Sequence, residues 1–325
     1  MADDLVGISE NPIPSGAAVA WLTTADGVRV RAVRFPAKAE VPRGTVCLFQ
    51  GRTEFVEKYF ETIEDLRERG FAVAALDWRG QGLSQRRYRN RRRGHVGNFN
   101  DFQRDLDVFM QDFALPEFPP PFYALAHSMG GAILLHALRR RPLWFERVVL
   151  TAPMIGLPGS AEGPLAQAFA RIAVALGFGF AFVPGASRHD VLKAGFEGNP
   201  LTGDARRFAR LVALYRAAPQ LFLGAPTLGW VRAAYRAMAT LREPRTAADI
   251  TLPILIVAAG ADKVVANPPL HALARGLRTG HIITLDGARH EILMERDPVR
   301  AAFFAAFDAF VPGTDPFPGD SVDPL

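Results

Sequence analysis

The sequence predicts an α/β protein whose mostly parallel central sheet is covered by helices on both faces. Short apolar segments alternate with helical patterns along the chain, and those segments lack the polar alternation of strands that face water. The first example is a βαβ unit that runs from an apolar strand at 45–49 through a helix at 57–69 to a second strand at 72–76. With 325 residues, the chain is long enough for one large domain with an insertion.

A hairpin precedes this unit, because two alternating stretches flank an Asp-Gly turn at Asp26-Gly27. The pattern breaks at Pro153 and resumes about a hundred residues later. Beyond the unit, the predicted elements are helix 101–113, strand 122–126, helix 130–140, strand 147–150, strand 253–257, a helix, strand 280–285 and a last helix after Asp297-Pro298.

The break divides the chain into a core and an insertion. We predict the first part of the core at 1–155, a helical insertion at 156–243, the second part of the core at 244–311 and a tail at 312–325. The insertion contains helix candidates at 169–176, 205–216 and 228–241. The tail holds four prolines and almost no apolar pattern, which is typical of a disordered or loosely docked segment.

The longest apolar run, residues 172–183, is shorter than the roughly 18 residues needed to span a bilayer, so we expect no transmembrane helix. A buried helix, a pocket lining and a membrane interface all fit this run. The first residues, Met1–Leu5, lack the pattern of a secretory signal, and the lone cysteine, Cys47, cannot form an intramolecular disulfide. The sequence therefore predicts a cytoplasmic protein, with a peripheral position at the inner face of the membrane as an alternative.

The positive charge of the chain is local. The net charge is +5, and six arginines lie in one short run: Arg86, Arg87, Arg89, Arg91, Arg92 and Arg93. A nucleic-acid-binding protein more often spreads basic residues over a face with interleaved aromatics, so we expect no nucleic-acid partner. This run fits a solvated loop and also a contact with an anion or an anionic membrane, and we hypothesise that it helps to dock the protein on anionic lipid.

Ser128 carries the first chemical signal. It stands between an apolar strand, 122–126, and small residues, Gly130-Gly131, that open a helix. This is the pattern of a nucleophile elbow, with Ala126 at the position where the usual G-x-S-x-G motif has its first glycine. The serine side chain then stands at a helix N-terminus, where developing negative charge is stabilised.

A serine nucleophile needs a histidine base that is oriented by a carboxylate. Asp262 and His290 each follow a predicted strand, in the chain order Ser, Asp, His that this arrangement requires. Asp286 is the rival carboxylate, but it lies only four residues before His290. His127 adjoins the serine, and we expect it to be structural. The sequence thus predicts Ser128, Asp262 and His290 as the catalytic residues.

The tetrahedral intermediate of acyl transfer needs two backbone N–H donors. Met129, directly after the nucleophile, is the first candidate. Arg52 is the second, because it follows the flexible Gly51 just past the first buried strand. A simple turn at Gln50-Gly51 is the alternative. Such a mechanism requires neither a metal nor an organic cofactor.

These motifs together resemble the α/β-hydrolases of the bacterial lysophospholipase and monoacylglycerol lipase branch, also called serine-aminopeptidase-like. The resemblance covers nearly the whole chain and includes the segments 77–84, 93–96, 99–102, 199–204, 226–230, 260–262 and 290–293. It implies the α/β-hydrolase fold, a helical cap formed by the insertion, and acyl esters of glycerol or glycerophospholipid as substrates.

Other functions compete with this one. The insertion carries ten basic against five acidic side chains, which disfavours a peptidase site for an ammonium group. Haloalkane and epoxide chemistry is disfavoured because the elbow holds a serine and not an aspartate. A carboxylesterase for short soluble esters is the enzymatic alternative, and a scaffold without turnover is the non-enzymatic one.

Overall fold

The central sheet has eight strands in the order β1-β2-β4-β3-β5-β6-β7-β8. The computed structural model describes residues 5–140, 144–186 and 195–312. The strands are β1 (Ala18–Thr23), β2 (Arg29–Phe35), β3 (Thr45–Phe49), β4 (Ala72–Asp77), β5 (Phe122–His127), β6 (Arg147–Thr151), β7 (Ile254–Ala259) and β8 (Gly280–Leu285).

Strand direction follows from the connections. β1 and β2 form the predicted antiparallel hairpin, and β2 also pairs antiparallel with β4. The remaining neighbours, from β4 to β8, pair in parallel. Strands β3, β4 and β7 are buried at every residue, as expected for strands covered on both faces. The predicted, mostly parallel sheet is confirmed.

The main helices are α1 (Phe60–Glu68), α2 (Asn100–Phe109), α3 (Met129–Leu138), α4 (Pro164–Ala175), α5 (Ala205–Ala217), α6 (Leu228–Leu241), α7 (Pro244–Asp249), α8 (Asn267–Gly276) and α9 (Asp297–Phe310). Helices α2, α3, α6 and α8 cover one face of the sheet, and α1 and α9 cover the other. Each face of the sheet carries its own hydrophobic core. Neighbouring side chains of β2 point into different cores: Ala32 packs under α2, α3, α6 and α8, and Val33 packs under α1 and α9. Helices therefore lie on both faces, which confirms the α/β-hydrolase fold.

The chain between β6 and β7 contains α4, α5, α6 and α7. Helix α4 begins five residues before the predicted helix 169–176, because Pro164 occupies its first turn. It packs on α6 through Ala170 and Ala173, and its larger side chains face outward. The buried-helix interpretation of the run 172–183 is therefore wrong.

Two further predictions concern the membrane and the tail. None of the described helices combines the length and the apolar composition that a bilayer crossing requires. Of the predicted tail, 312–325, only Pro312 belongs to the described residues, and the rest lies outside them.

Candidate active site

Ser128 occupies the turn between β5 and α3. Its backbone has φ of 49°, which is the left-handed region that residues with a Cβ atom rarely adopt. The Ser128 N–H donates to the Thr151 carbonyl oxygen on the neighbouring strand β6, at 3.0 Å. The strained turn thus has the geometry of a nucleophile elbow at the carboxyl edge of the sheet.

The elbow needs small neighbours for steric reasons. A Cβ atom on Gly130 would lie 2.5 Å from the Phe49 carbonyl oxygen, and one on Gly131 would lie 2.8 Å from Pro153 Cβ. Ala126, at the position of the usual first glycine, is fully buried in β5. Its methyl group therefore fits inside the core.

Asp262 and His290 meet Ser128 at this edge. His290 Nε2 lies 3.0 Å from Ser128 Oγ, and His290 Nδ1 lies 2.7 Å from Asp262 Oδ2. The second oxygen of Asp262, Oδ1, accepts hydrogen bonds from the Val264 and Val265 N–H groups. One continuous chain of hydrogen bonds therefore joins the three residues.

The carboxylate of Asp262 is favoured in its ionised form. Burial opposes its ionisation, but the hydrogen bond from His290 and those from the backbone outweigh burial and lower its pKa. The rival Asp286 is exposed. Asp262 is therefore the carboxylate that orients the histidine in this structure.

His127 lies next to this chain of hydrogen bonds without joining it. Its ring centroid is 4.8 Å from that of His290, and its Nδ1 is 3.1 Å from the Thr151 carbonyl oxygen. Burial lowers the pKa of His127 to about 4, which keeps the imidazole neutral near neutral pH. The contact with Thr151 and the neutral ring support the predicted structural role of His127.

The loop after β3 carries Arg52, the second predicted oxyanion donor, between two residues whose N–H groups are held by side chains. The Gly51 N–H donates to Glu54 Oε2, and the Thr53 N–H donates to Gln81 Oε1 at 2.7 Å. Between them, the Arg52 N–H finds no acceptor among the described residues. Met129 is the first residue of α3, so its N–H has no partner within the helix. Both predicted oxyanion donors are thus available.

Four residues that support this loop, Gln81, Glu54, Lys58 and Tyr59, were not predicted from the sequence. Gln81 also donates through Nε2 to the Gly51 carbonyl oxygen, at 3.1 Å. Glu54 accepts from Tyr59 Oη and from Lys58 Nζ, which is 2.6 Å from Glu54 Oε1. Gln81 lies in a segment that carries the family resemblance, but only the folded chain places it beside Gly51.

The insertion covers the site. Tyr215 on α5 donates to the Thr53 carbonyl oxygen at 3.1 Å, and Arg52 Nη2 donates to the Gly224 carbonyl oxygen at 3.0 Å. Ser128 is only 7% exposed and His290 only 4%. The structure is therefore a closed form, in which Ser128 and His290 are shielded from solvent.

The arginine run divides into surface and interior residues. Arg87, Arg89 and Arg91 are exposed, with no carboxylate within 4 Å among the described residues. Arg92 is exposed and lies over the Phe222 ring. Arg93 is half-buried between Tyr88, Phe180 and Phe182. Arg86 is buried, and it donates to the Gly80 and Gly82 carbonyl oxygens.

Comparisons with known proteins identify the family of the chain. A model of the family described as serine aminopeptidase, S33, matches residues 40–297. Lysophospholipase L2 of Escherichia coli K12 is 35% identical over 301 residues, which are 90% of this chain and 86% of the relative. Monoacylglycerol lipase of Mycolicibacterium smegmatis is 26% identical over 257 residues, which are 78% of this chain and 83% of that lipase.

A solved structure supports the fold. Monoglyceride lipase from Saccharomyces cerevisiae superposes with a TM-score of 0.73, covering 91% of this chain and 96% of that chain. The two sequences are 18% identical, so this likeness concerns the fold alone.

Proposed function

Because the chain belongs to the serine aminopeptidase S33 family, we propose that Ser128, His290 and Asp262 are the catalytic triad of a serine hydrolase that cleaves carboxylic esters of lipids. The observation that carries this proposal is the continuous hydrogen-bonded chain from Ser128 Oγ through His290 to Asp262. It lies at the carboxyl edge of the sheet, where enzymes of this fold bind their substrates.

The mechanism follows from these contacts. His290 Nε2 accepts the proton of Ser128 Oγ as that oxygen attacks the ester carbonyl, and Asp262 stabilises the imidazolium that forms. The imidazolium then donates its proton to the leaving alcohol, which leaves an acyl-enzyme on Ser128. Water, deprotonated by His290, attacks the acyl carbonyl, and Ser128 recovers its proton as the fatty acid departs.

The oxyanion would accept hydrogen bonds from the backbone N–H groups of Arg52 and Met129. Two observations support this assignment: the Arg52 N–H is unpartnered among the described residues, and Glu54 and Gln81 engage the groups on either side of it. Loss of one such donor typically lowers kcat by about 10²–10³-fold.

Lysophospholipids and monoacylglycerols are the lipid esters that the relatives indicate. The net positive insertion, with ten basic and five acidic side chains, suits an anionic lipid better than a peptide ammonium. The insertion lies over Ser128, so we propose that residues 156–243 act as a cap that opens for the acyl chain.

We also propose a peripheral contact with an anionic membrane at the cytoplasmic face. Ten large apolar side chains are exposed among the described residues, and six of them lie between 165 and 180. Arg93 joins the two surfaces, because its guanidinium lies 5.5 Å from the ring centroids of Phe180 and Phe182. Exposed arginines beside an exposed apolar surface match an anionic lipid surface in charge and polarity. Arg86 is buried, so the exposed residues Arg87, Arg89 and Arg91 would supply the attraction.

Fatty-acid release tests the function. Lysophosphatidylglycerol, monoacylglycerol and a short p-nitrophenyl ester are compared at equal concentrations, with Ser128→Ala as the blank. We expect turnover of the lipid esters and a loss of at least about 10⁴-fold in kcat in Ser128→Ala. Turnover of the short ester alone would favour the soluble carboxylesterase, and absence of turnover with every ester would favour a scaffold.

The assignment of the carboxylate has a matched control. Asp262→Asn should lower kcat by about 10³–10⁴-fold, because the amide no longer holds the productive histidine tautomer. Asp286→Asn makes the same change on the exposed rival carboxylate and should leave kcat near that of the wild type. The reverse outcome would reassign the triad.

A further inference from the structure

Two guanidinium groups beside the site lack a carboxylate partner. Arg86 and Arg52 form no ion pair with any described residue, and the Nε atom of each is buried without a hydrogen-bond partner. The other buried arginines that the structure describes all contact a carboxylate: Arg31, Arg67, Arg79, Arg207 and Arg300. Among the described buried arginines, Arg86 is therefore the one without a carboxylate contact, and the half-buried Arg52 is a second cation of this kind on the loop next to Ser128.

The two cations also repel each other. Burial lowers the pKa of Arg52, and the charge of Arg86 lowers it further. Burial likewise lowers the pKa of Arg86, with a further contribution from the charge of Arg91, and the charge of Asp77, which is paired with Arg31, offsets these effects only in part. A buried charge without a counterion destabilises a protein, so such a pair is retained most readily where a ligand supplies the missing negative charge.

In the closed form, the groups of the insertion that contact the two cations are neutral. Arg52 Nη2 donates to the Gly224 carbonyl oxygen at 3.0 Å, and Arg86 Nη2 lies 3.5 Å from the Gln220 carbonyl oxygen. Arg52 also lies over the Trp230 ring, 4.9 Å from its centroid. All three partners belong to the insertion, so opening of the cap would free these donors for another acceptor.

The position of Arg52 relates this charge to the chemistry. A Cβ atom on Gly51 would lie 3.2 Å from Ser128 Cβ, so the residue that precedes Arg52 lies beside the nucleophile. The Arg52 backbone faces the reacting ester in the proposed mechanism, and its side chain extends toward the cap. In a lysophospholipid, the glycerol carbons likewise separate the ester, which would face the Arg52 backbone, from the phosphate, which would face the Arg52 side chain.

We propose that Arg52 and Arg86 form a subsite for the phosphate group of a lysophospholipid headgroup. This inference rests on the proposed function and extends it. On cap opening, the phosphate oxygens replace the Gly224 and Gln220 carbonyl oxygens as acceptors for the Nη2 groups of Arg52 and Arg86, while Arg86 keeps its hydrogen bonds to the Gly80 and Gly82 carbonyl oxygens. The subsite favours phosphate-bearing substrates over monoacylglycerols, which have no charge to place there.

A substrate pair with the same short acyl chain tests the proposal. Lysophosphatidylglycerol and monoacylglycerol are assayed below the concentration at which they aggregate, so that binding to a lipid surface plays no part. In Arg52→Gln we expect the ratio of the two kcat/KM values to fall by about 10–100-fold, at the expense of the phosphate substrate. Arg52→Lys retains the charge without the fork of donors, and it should retain part of the preference.

Two controls separate this subsite from structural effects. Arg86→Gln should lower the same ratio, whereas Arg216→Gln, which removes an exposed charge from α5, should leave it unchanged. An equal loss with both substrates in Arg52→Gln would overturn the subsite and leave Arg52 as a structural link to the cap. If the wild type hydrolyses neither substrate, the proposed function itself has failed.

An inhibition experiment on the wild type needs no variant. Glycerol 3-phosphate, inorganic phosphate and glycerol are each tested as competitive inhibitors of monoacylglycerol hydrolysis. Stronger inhibition by glycerol 3-phosphate than by the other two supports the headgroup subsite. Inhibition by inorganic phosphate as strong as that by glycerol 3-phosphate would assign the site to the free anion and overturn the headgroup subsite. Absence of inhibition by both phosphate compounds would also overturn the proposal.

Discussion

Lys58 Nζ lies 2.6 Å from Glu291 Oε1, so a buried ammonium contacts the residue that follows His290. The same ammonium is 2.6 Å from Glu54 Oε1, and Glu54 accepts the Gly51 N–H beside the candidate oxyanion donor. Burial opposes ionisation of Glu54, but the charges of Lys58 and His127 and the hydrogen bonds from Lys58 and Tyr59 together outweigh burial and lower the pKa of Glu54 to about 2. One buried cation therefore links the histidine loop to the oxyanion loop.

Removal of Lys58 should destabilise the fold. Lys58→Met leaves two buried carboxylates without their cation, and we expect the free energy of unfolding to fall by about 3–5 kcal/mol in a urea titration. Further replacement by Glu54→Gln and Glu291→Gln removes the uncompensated charges and should recover most of that loss. A triple variant as unstable as Lys58→Met would show that packing, not charge, dominates at this position.

Gln81 should affect catalysis without contacting the substrate. Gln81→Leu removes both hydrogen bonds to the loop at Gly51 and Thr53, so the Arg52 N–H loses its fixed direction. We expect the acylation rate with a p-nitrophenyl ester to fall by about 10–100-fold with little change in KM. Gln85→Leu makes the same change at an exposed residue and should leave the rate unaltered; equal effects of the two substitutions would contradict the positioning role.

The sequence predicted the parts of this molecule that depend on local pattern. Strand type, hairpin turn and the order of Ser128, Asp262 and His290 all follow from periodicity and spacing. The contact between Lys58 and Glu291 joins residues far apart in the chain, so no local pattern reports it. The arginine run shows the same limit, since residue type alone does not distinguish the buried Arg86 from its exposed neighbours.

Helix α4 shows a second limit of sequence reasoning. Periodicity shows that a helix has an apolar face, but not whether that face meets the core or the solvent. Here the small residues Ala170 and Ala173 pack on α6, and the large apolar residues point outward. The start of the helix at Pro164 was readable, because proline favours the first helical turn.

Gly130 should be intolerant of any side chain. The Cβ atom of Gly130→Ala would lie 2.5 and 2.6 Å from the Phe49 and Gln50 carbonyl oxygens, so either α3 or the strand end must shift. We expect a loss of about 1–3 kcal/mol in stability and a clear loss of kcat, because the shift displaces the oxyanion loop. Ala126→Gly restores the usual motif and should cost at most about 1 kcal/mol with kcat retained. Full activity of Gly130→Ala would contradict the steric argument.

His136 should make stability depend on pH. Burial between α3 and α6 lowers the pKa of His136 to about 4 from the ordinary 6.5, although its Nε2 lies 3.2 Å from the Ala237 carbonyl oxygen. The unfolded chain therefore binds more protons between pH 6.5 and 4. The contribution of the neutral, buried His136 to the free energy of unfolding is fully present above pH 6.5 and is lost as the pH falls toward 4.

Unfolding titrations at pH 8 and pH 5 measure this contribution. We expect the wild type to lose about 2 kcal/mol through His136 between these two values. His136→Gln should show a loss smaller by that amount, whereas exposed His281→Gln should behave like the wild type. An unchanged pH dependence in His136→Gln would place the acid sensitivity elsewhere.

Vesicle binding should depend on charge and apolar surface separately. Arg87, Arg89 and Arg91 each contribute about 1 kcal/mol near an anionic surface, so their joint replacement by glutamine should weaken binding to phosphatidylglycerol-containing vesicles by about 100-fold. Arg43, Arg275 and Arg278 are exposed at the opposite, amino edge of the sheet, and the same replacement there should have no effect. Phe169→Ser combined with Leu176→Ser removes exposed apolar area, so it should weaken binding to pure phosphatidylcholine vesicles as well. Unaltered flotation of both the triple-glutamine and the double-serine variants would exclude this face as the docking surface, because neither the charge nor the apolar area would then contribute to binding.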